Sequence, residues 1–144
     1  MAAGLLERAL ETHEESWARS YTVISSGIAA VAGQPASPYA IQAMEKIGID
    51  LKDHRSQPVS DPIIRQSALT LCMTQGHKRF IRQCFLYLNT PILLMRELIP
   101  ETEDKQIADP FGLDILAYEA CRDKIAEVIP AILEFLQKYH SCPA

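Results

Sequence analysis

The stretch that decides the fold is ALTLCM, residues 68–73, which runs directly into the polar segment TQGHK at residues 74–78. An unbroken apolar run of this length is typical of a strand that is buried on both faces of a parallel sheet. A helix-like segment follows at residues 76–88, and a second apolar run, PILLM, occupies residues 91–95. Strand, helix and strand in this order predict an α/β fold with helices on both sides of a parallel sheet.

Five further elements are predicted along the chain: a helix over residues 1 to about 17, a strand over 21–25, helices over 37–48 and 61–66, and a long helix from about 113 to 139. The helix over 37–48 carries the clearest boundary signals. Ser37 is a suitable N-cap, Pro38 fits the first turn, and Gly48 is suited to the end of the helix. Pro130 is expected to kink the last helix or to divide it in two.

Composition bounds the class of protein. The chain has 144 residues, of which 48% are hydrophobic and 22% charged, so we expect one folded domain over residues 1–144. The net charge of −4 argues against nucleic acid or an anionic membrane surface as a partner. The apolar runs fall short of the roughly 20 residues that span a bilayer, and we therefore predict no membrane partner.

The four cysteines, Cys72, Cys84, Cys121 and Cys142, form no CxxC pair and have no regular spacing. This pattern favours reduced thiols and a cytoplasmic location over a disulfide framework or a zinc site. No metal or other cofactor is expected. The sequence assigns no role to Cys121 or Cys142.

Four segments, taken in order, resemble the low-molecular-weight protein-tyrosine phosphatase family, which includes bacterial protein-arginine phosphatases and thioredoxin-coupled arsenate reductases. The segments are ISSGI at residues 24–28, GIDLKDHRSQPV at 48–59, ALTLCMTQGHK at 68–78, and DPFG at 109–112 with the Tyr-bearing helix that follows. The resemblance covers essentially the whole chain. It implies a three-layer αβα fold with strand order 2-1-3-4. The implied activity is hydrolysis of phosphotyrosine or phosphoarginine in a phosphorylated protein, or of a small phosphate monoester.

The family's nucleophile loop, Cys-x5-Arg followed by Ser-Pro, joins its first strand to its first helix, which often begins Met-Ala. The sequence begins Met1-Ala2 and contains no Cys-x5-Arg. The resemblance therefore implies that the chain starts one strand and one catalytic loop too late. As written, we expect it to be inactive, unstable or rearranged, with a sheet edge open to self-association.

Two hypotheses follow from that implied truncation. In the first, Met1 is an internal methionine of a longer, active phosphatase. In the second, the chain is a truncated paralogue that binds phosphorylated ligands or pairs with another chain without catalysis. Retention of the family's acid loop favours the first hypothesis, and the reading frame upstream of the Met1 codon distinguishes the two.

By resemblance, Asp109 is the general acid and Phe111 is a wall of the substrate pocket. Ser25 and His54 match positions that support the phosphate loop through hydrogen bonds. From the residues alone, an ordinary turn is the favoured interpretation of Asp109-Pro110, and only the resemblance reverses that preference. On the same basis His54 is a polar loop residue and Ser25 a strand-end hydroxyl. A Phe at position 111 is common in the bacterial members of the family, including those that resemble arginine phosphatases.

Cys72 and Lys78 have the spacing of a Cys-x5-Arg loop, but lysine lacks the planar fork that grips two phosphate oxygens. Cys72 also corresponds to a cysteine of the arsenate reductase relay, which makes a redox enzyme a further alternative. The next cysteine, Cys84, lies twelve residues on, farther than in that relay, so a buried core cysteine is favoured.

The basic residues His77, Lys78, Arg79 and Arg82 share one helical segment. They predict a solvated basic surface in preference to a docking site for a phosphorylated partner.

Overall fold

The structure, a computed structural model, describes residues 1–141, and Cys142 lies outside the described residues. Six α-helices and two strands are present in this part of the chain: α1 (Ala2–Glu11), α2 (Pro38–Glu45), α3 (Asp61–Gln66), β1 (Thr70–Cys72), α4 (Gln75–Cys84), β2 (Ile92–Leu94), α5 (Ile115–Ala126) and α6 (Ile129–Ser141). Two 3₁₀ turns, Ser16–Ser20 and Met95–Leu98, complete the regular structure of residues 1–141.

The two predicted apolar strands pair with each other. β1 and β2 run parallel, with Thr70 opposite Ile92 and Cys72 opposite Leu94. The connection between them is α4, as the order of strand, helix and strand requires. The α/β class and the parallel sheet are therefore confirmed.

The local boundary signals also hold. The Ser37 hydroxyl accepts a hydrogen bond from the Ala40 N–H, and Pro38 is the first residue of α2. Gly48 follows the helix with a φ of +74°, a conformation that costs a residue with a Cβ more than it costs glycine. The long C-terminal helix is divided into α5 and α6, with Pro130 in the first turn of α6, where its missing N–H costs nothing.

Two predicted elements differ from the structure. Helix α1 ends at Glu11, and Trp17 lies in the 3₁₀ turn, where its indole N–H donates to Glu15 Oε2 at 3.1 Å. The strand predicted over 21–25 is wrong, because this segment belongs to neither strand of the sheet that residues 1–141 form. A strand is defined by its ladder partner, and β-propensity alone does not supply one.

In the core, the N-terminal half of α1 packs against residues 49–51, which follow α2. Gly4 is buried there, and a Cβ added to it would lie 3.1 Å from side-chain carbons of both Ile49 and Leu51. Glycine at this position lets α1 approach residues 49–51 closely. Within residues 1–141, none of the helices combines the length and the apolar character that crossing a membrane requires.

Candidate functional site

A cavity of about 490 Å³ lies at the N-terminal end of α1. Three other parts of the chain complete its wall: Ser25, the segment from Asp50 to His54, and Met73 directly after β1. The carboxyl ends of parallel strands are where α/β folds usually bind ligands. The first turn of a helix adds backbone N–H groups without intrahelical partners, and these favour an anion.

Ser25 and His54, the two residues expected to support a phosphate loop, meet at this cavity. The Ser25 carbonyl accepts a hydrogen bond from Gln57 Nε2 at 3.0 Å. The His54 N–H donates to the Leu51 carbonyl at 3.1 Å, which closes a turn, and both residues line the cavity. Two segments about 30 residues apart in sequence are therefore joined at one site.

The loop that carries Asp109 begins beside the same cavity. The Ile107 N–H donates to the carbonyl of Met73 at 2.9 Å, and Met73 lines the cavity. The Gln106 side chain accepts from the Gln75 N–H at 2.9 Å, which links this loop to the first turn of α4. Asp109 is two residues beyond Ile107, so its loop is anchored at the end of β1.

Asp109 and Phe111 are both exposed, and neither lies on the wall of the cavity. The Asp109 carboxylate accepts a hydrogen bond from the Phe111 N–H at 3.0 Å, so the local conformation is an Asx turn. The Phe111 side chain is 79% exposed. Both side chains stand on a surface loop whose base, but not whose tip, contacts the cavity wall.

Cys72 is only 3% exposed, and burial raises the pKa of its thiol to about 11. A thiol with this pKa is almost wholly protonated at neutral pH and is a poor nucleophile and a poor redox centre. Burial also raises the pKa of Cys121, and the nearby Asp109 carboxylate adds to that effect. Cys72 and Cys121 are thus core residues, whereas Cys84 on α4 is exposed.

The prediction that Lys78 belongs to a solvated surface is wrong. Lys78 is 9% exposed, and its ammonium donates to both carboxylate oxygens of Glu97, at 2.7 and 2.9 Å. Glu97 also accepts the N–H of Leu94 at 2.8 Å. Lysine is buried here because a carboxylate at the end of β2 neutralises it. Arg79 and Arg82 are exposed, as predicted.

Three acidic side chains on the cavity wall were not singled out from the sequence: Glu7, Asp50 and Asp53. Two of them lie within four residues of His54, so their position next to that residue was the available signal. Lys52 partly neutralises Asp50 at 4.0 Å. In the part of the chain that the structure describes, no group of three His, Cys, Asp or Glu side chains is placed to hold a metal ion.

The sequence is similar to low molecular weight protein phosphatases. The sequence model of the family "Low molecular weight phosphotyrosine protein phosphatase" matches residues 5–141. A protein-arginine-phosphatase of Geobacillus stearothermophilus is 34% identical over 137 residues, which are 95% of this chain and 86% of that protein. A probable low molecular weight protein-tyrosine-phosphatase EpsP of Ralstonia solanacearum is 31% identical over 119 residues, 83% of this chain and 74% of that protein.

The fold is similar to solved structures of the same kind. The YwlE arginine phosphatase from Geobacillus stearothermophilus superposes with a TM-score of 0.81 at 31% identity, over 95% of this chain and 83% of that one. A low molecular weight protein tyrosine phosphatase from T. tengcongensis has a TM-score of 0.80 at 24% identity, over 92% and 87% of the two chains, and shows likeness of fold alone.

Proposed function

Because this chain belongs to the low molecular weight phosphotyrosine protein phosphatase family, we propose that it carries the acid loop and the supporting residues of a protein phosphatase. The reaction would pass through a cysteinyl-phosphate. The observation that carries this proposal is the cavity at the end of β1, where α1, Ser25 and His54 meet beside the base of the Asp109 loop.

The 144 residues contain no Cys-x5-Arg, so the proposed reaction requires a nucleophile loop that lies outside these residues. A loop that leads into α1 would lie at the cavity by the first turn of that helix. There the unpartnered N–H groups would lower the pKa of the thiol and hold the phosphate oxygens. An arginine of the same loop would grip two of those oxygens in a bidentate fork.

Asp109 is proposed to act twice in this reaction. As the thiolate attacks phosphorus and the bond to the leaving oxygen or nitrogen breaks, the Asp109 carboxylic acid gives its proton to that leaving atom. In the second step its carboxylate takes a proton from water, the water oxygen attacks phosphorus, and the S–P bond breaks. Inorganic phosphate leaves, and both the thiolate and the protonated acid are restored.

The substrate is proposed to be a phosphorylated protein, with phosphoarginine favoured over phosphotyrosine. One observation supports phosphoarginine: the relative that is 34% identical bears the name of an arginine phosphatase. Phe111 is proposed as the wall on which the substrate side chain packs.

The free thiols of Cys72, Cys84 and Cys121 support a cytoplasmic location, which remains a proposal. Self-association through a sheet edge also remains a prediction. Sedimentation equilibrium of the 144-residue chain tests it, and a monomer over the full concentration range would contradict it.

The test of the mechanism uses the product of the full reading frame, assayed with phosphoarginine and phosphotyrosine peptides and with p-nitrophenyl phosphate. Asp109→Asn is expected to lower kcat by about 10²–10⁴-fold on the peptides, the usual contribution of a general acid. Glu101→Gln, which removes an exposed carboxylate from the preceding loop, is the matched control and should leave kcat unchanged.

Two results would contradict the proposal. Equal loss of activity in Asp109→Asn and Glu101→Gln would remove Asp109 from the mechanism. A stop codon in frame upstream of Met1, without a Cys-x5-Arg codon series, would instead favour the non-catalytic binding module.

A further inference from the structure

Arg96 lies in the 3₁₀ turn after β2 and is only 6% exposed. All three nitrogens of its guanidinium group donate hydrogen bonds. Nε donates to the Asp104 carbonyl at 2.8 Å, one terminal nitrogen to Thr102 Oγ1 at 2.9 Å, and the other to Glu127 Oε2 at 2.6 Å. A planar guanidinium with fixed donor directions holds these three acceptors in one geometry.

The segment that Arg96 holds is the base of the acid loop. Residues 102–104 lead directly to Gln106, which accepts the Gln75 N–H, and to Ile107, which bonds the end of β1. Asp109 follows two residues later. Arg96 thus holds one end of the segment 102–107, and the other end is bonded to Met73 on the wall of the cavity.

The other tethers of this segment are weaker. Lys124 reaches the Asp104 carboxylate at 3.3 Å, but both side chains are about half exposed or more, so water screens the pair. Lys105 donates to the Ile99 carbonyl at 2.7 Å, which closes a turn within the loop but does not tie it to a helix. The link from this loop to the helical layer that has a buried member therefore runs through Arg96, whose side chain is 8% exposed, to the 57% exposed Glu127 on the turn after α5.

We propose that Arg96 is a positioning residue for the proposed reaction: it sets the base of the acid loop so that Asp109 reaches the leaving atom. The inference rests on the proposed function. An error of about 1 Å in the position of a catalytic group costs on the order of 10²-fold in rate. If the base of the loop could shift, the Asp109 carboxyl group would be displaced and the rate would fall.

The test compares two substrates on the product of the full reading frame. Phenyl phosphate has a poor leaving group that needs a proton from Asp109, whereas p-nitrophenyl phosphate has a good one that needs it far less. Arg96→Met keeps the approximate volume and removes all the donors. It is expected to lower kcat/KM, which reports the step that releases the leaving group, by about 10–10²-fold more on phenyl phosphate than on p-nitrophenyl phosphate. In an Asp109→Asn background, Arg96→Met should cause no further change in that ratio.

Arg122→Met is the matched control. Arg122 is also largely buried, and it donates to the Ala43 carbonyl at 2.7 Å, so it ties α5 to α2 and not to the acid loop. Its loss should lower stability and leave the ratio of the two substrates unchanged. Thr102→Val, which removes one acceptor of the Arg96 fork with little change in volume, should shift the ratio in the same direction by a smaller factor.

Failure of the inference about Arg96 can be distinguished from failure of the proposed role of Asp109. If Asp109→Asn changes the substrate ratio while Arg96→Met and Thr102→Val do not, Arg96 is a structural residue only and the inference is wrong. If Arg96→Met lowers kcat/KM equally on both substrates, the inference is likewise wrong. If Asp109→Asn itself leaves the ratio unchanged, the proposed acid fails, and the inference fails with it.

Discussion

Replacing Lys78 with methionine should remove one of the strongest polar contacts in the fold. The Lys78 ammonium donates to both oxygens of Glu97, and the two side chains are 11% and 29% exposed. Breaking one partner of a buried pair costs about 3–5 kcal/mol. Because water still reaches part of Glu97, we expect a smaller loss of about 2–3 kcal/mol in the free energy of unfolding, or about 5–10 °C in Tm.

The loss should depend on pH with a defined sign. Lys78 lowers the pKa of Glu97, with burial acting in the opposite direction. Because the pKa of Glu97 is lower in the folded state, its ionised form stabilises the fold at pH values above the unfolded-state pKa of about 4.3. This stabilisation is lost as the pH falls through the folded-state pKa. The difference between wild type and Lys78→Met should therefore be largest near neutral pH and should shrink below about pH 4.

Urea unfolding followed by circular dichroism measures this effect from pH 3 to pH 8. Lys138→Met is the matched control, because Lys138 forms an exposed pair with Glu134 whose loss should leave the free energy of unfolding nearly unchanged. The double variant Lys78→Met with Glu97→Gln should recover most of the loss, since no unpaired charge remains. A loss in Lys78→Met as small as in Lys138→Met, or one that does not change with pH, would refute the reasoning.

Two further predictions concern the core. Iodoacetamide at pH 8 should alkylate the exposed Cys84 of the native chain much faster than Cys72, because the Cys72 thiol is buried and has a pKa of about 11. Peptide mass mapping measures the two rates, and equal rates would contradict this prediction. Gly4→Val should lower the free energy of unfolding by about 1–3 kcal/mol by overpacking, because the added Cβ alone meets Ile49 and Leu51 at 3.1 Å. Thermal unfolding measures that loss, and an unchanged Tm would show that α1 moves aside freely.

The parts of the fold that the sequence predicted well are those that local chemistry determines. Ser37, Pro38 and Gly48 define α2 because a hydroxyl cap, a fixed φ and a positive φ act within one helical turn. Pro130 divides the last helix for a similarly local reason. The two apolar strands were found because burial on both faces leaves a continuous run of apolar residues.

The parts that it predicted poorly depend on a distant partner. Residues 21–25 have the composition of a strand, but the composition does not say whether another strand lies alongside. A charged side chain suggests a surface, yet Lys78 is buried by Glu97, 19 residues away. Arg96 gave no signal in the sequence either, because its acceptors Asp104 and Glu127 come together only when the loop folds against the turn after α5.

The site shows the same division. The resemblance indicates Ser25 and His54, which line one cavity, but the sequence assigns no role to the carboxylates of Glu7, Asp50 and Asp53 on the same wall. The roles of Ser25, His54, Asp109 and Phe111 in the reaction are predictions that come from the resemblance.

We propose that this chain provides the general acid and the residues that support a phosphate loop, and that the nucleophile lies outside its 144 residues. The most direct measurement is hydrolysis of p-nitrophenyl phosphate by the 144-residue chain, beside the product of the full reading frame at equal concentration. We expect turnover by the longer product and none by the 144-residue chain. Turnover by the 144-residue chain itself would contradict it, because Cys72, Cys84, Cys121 and Cys142 are its only cysteines and none begins a Cys-x5-Arg loop.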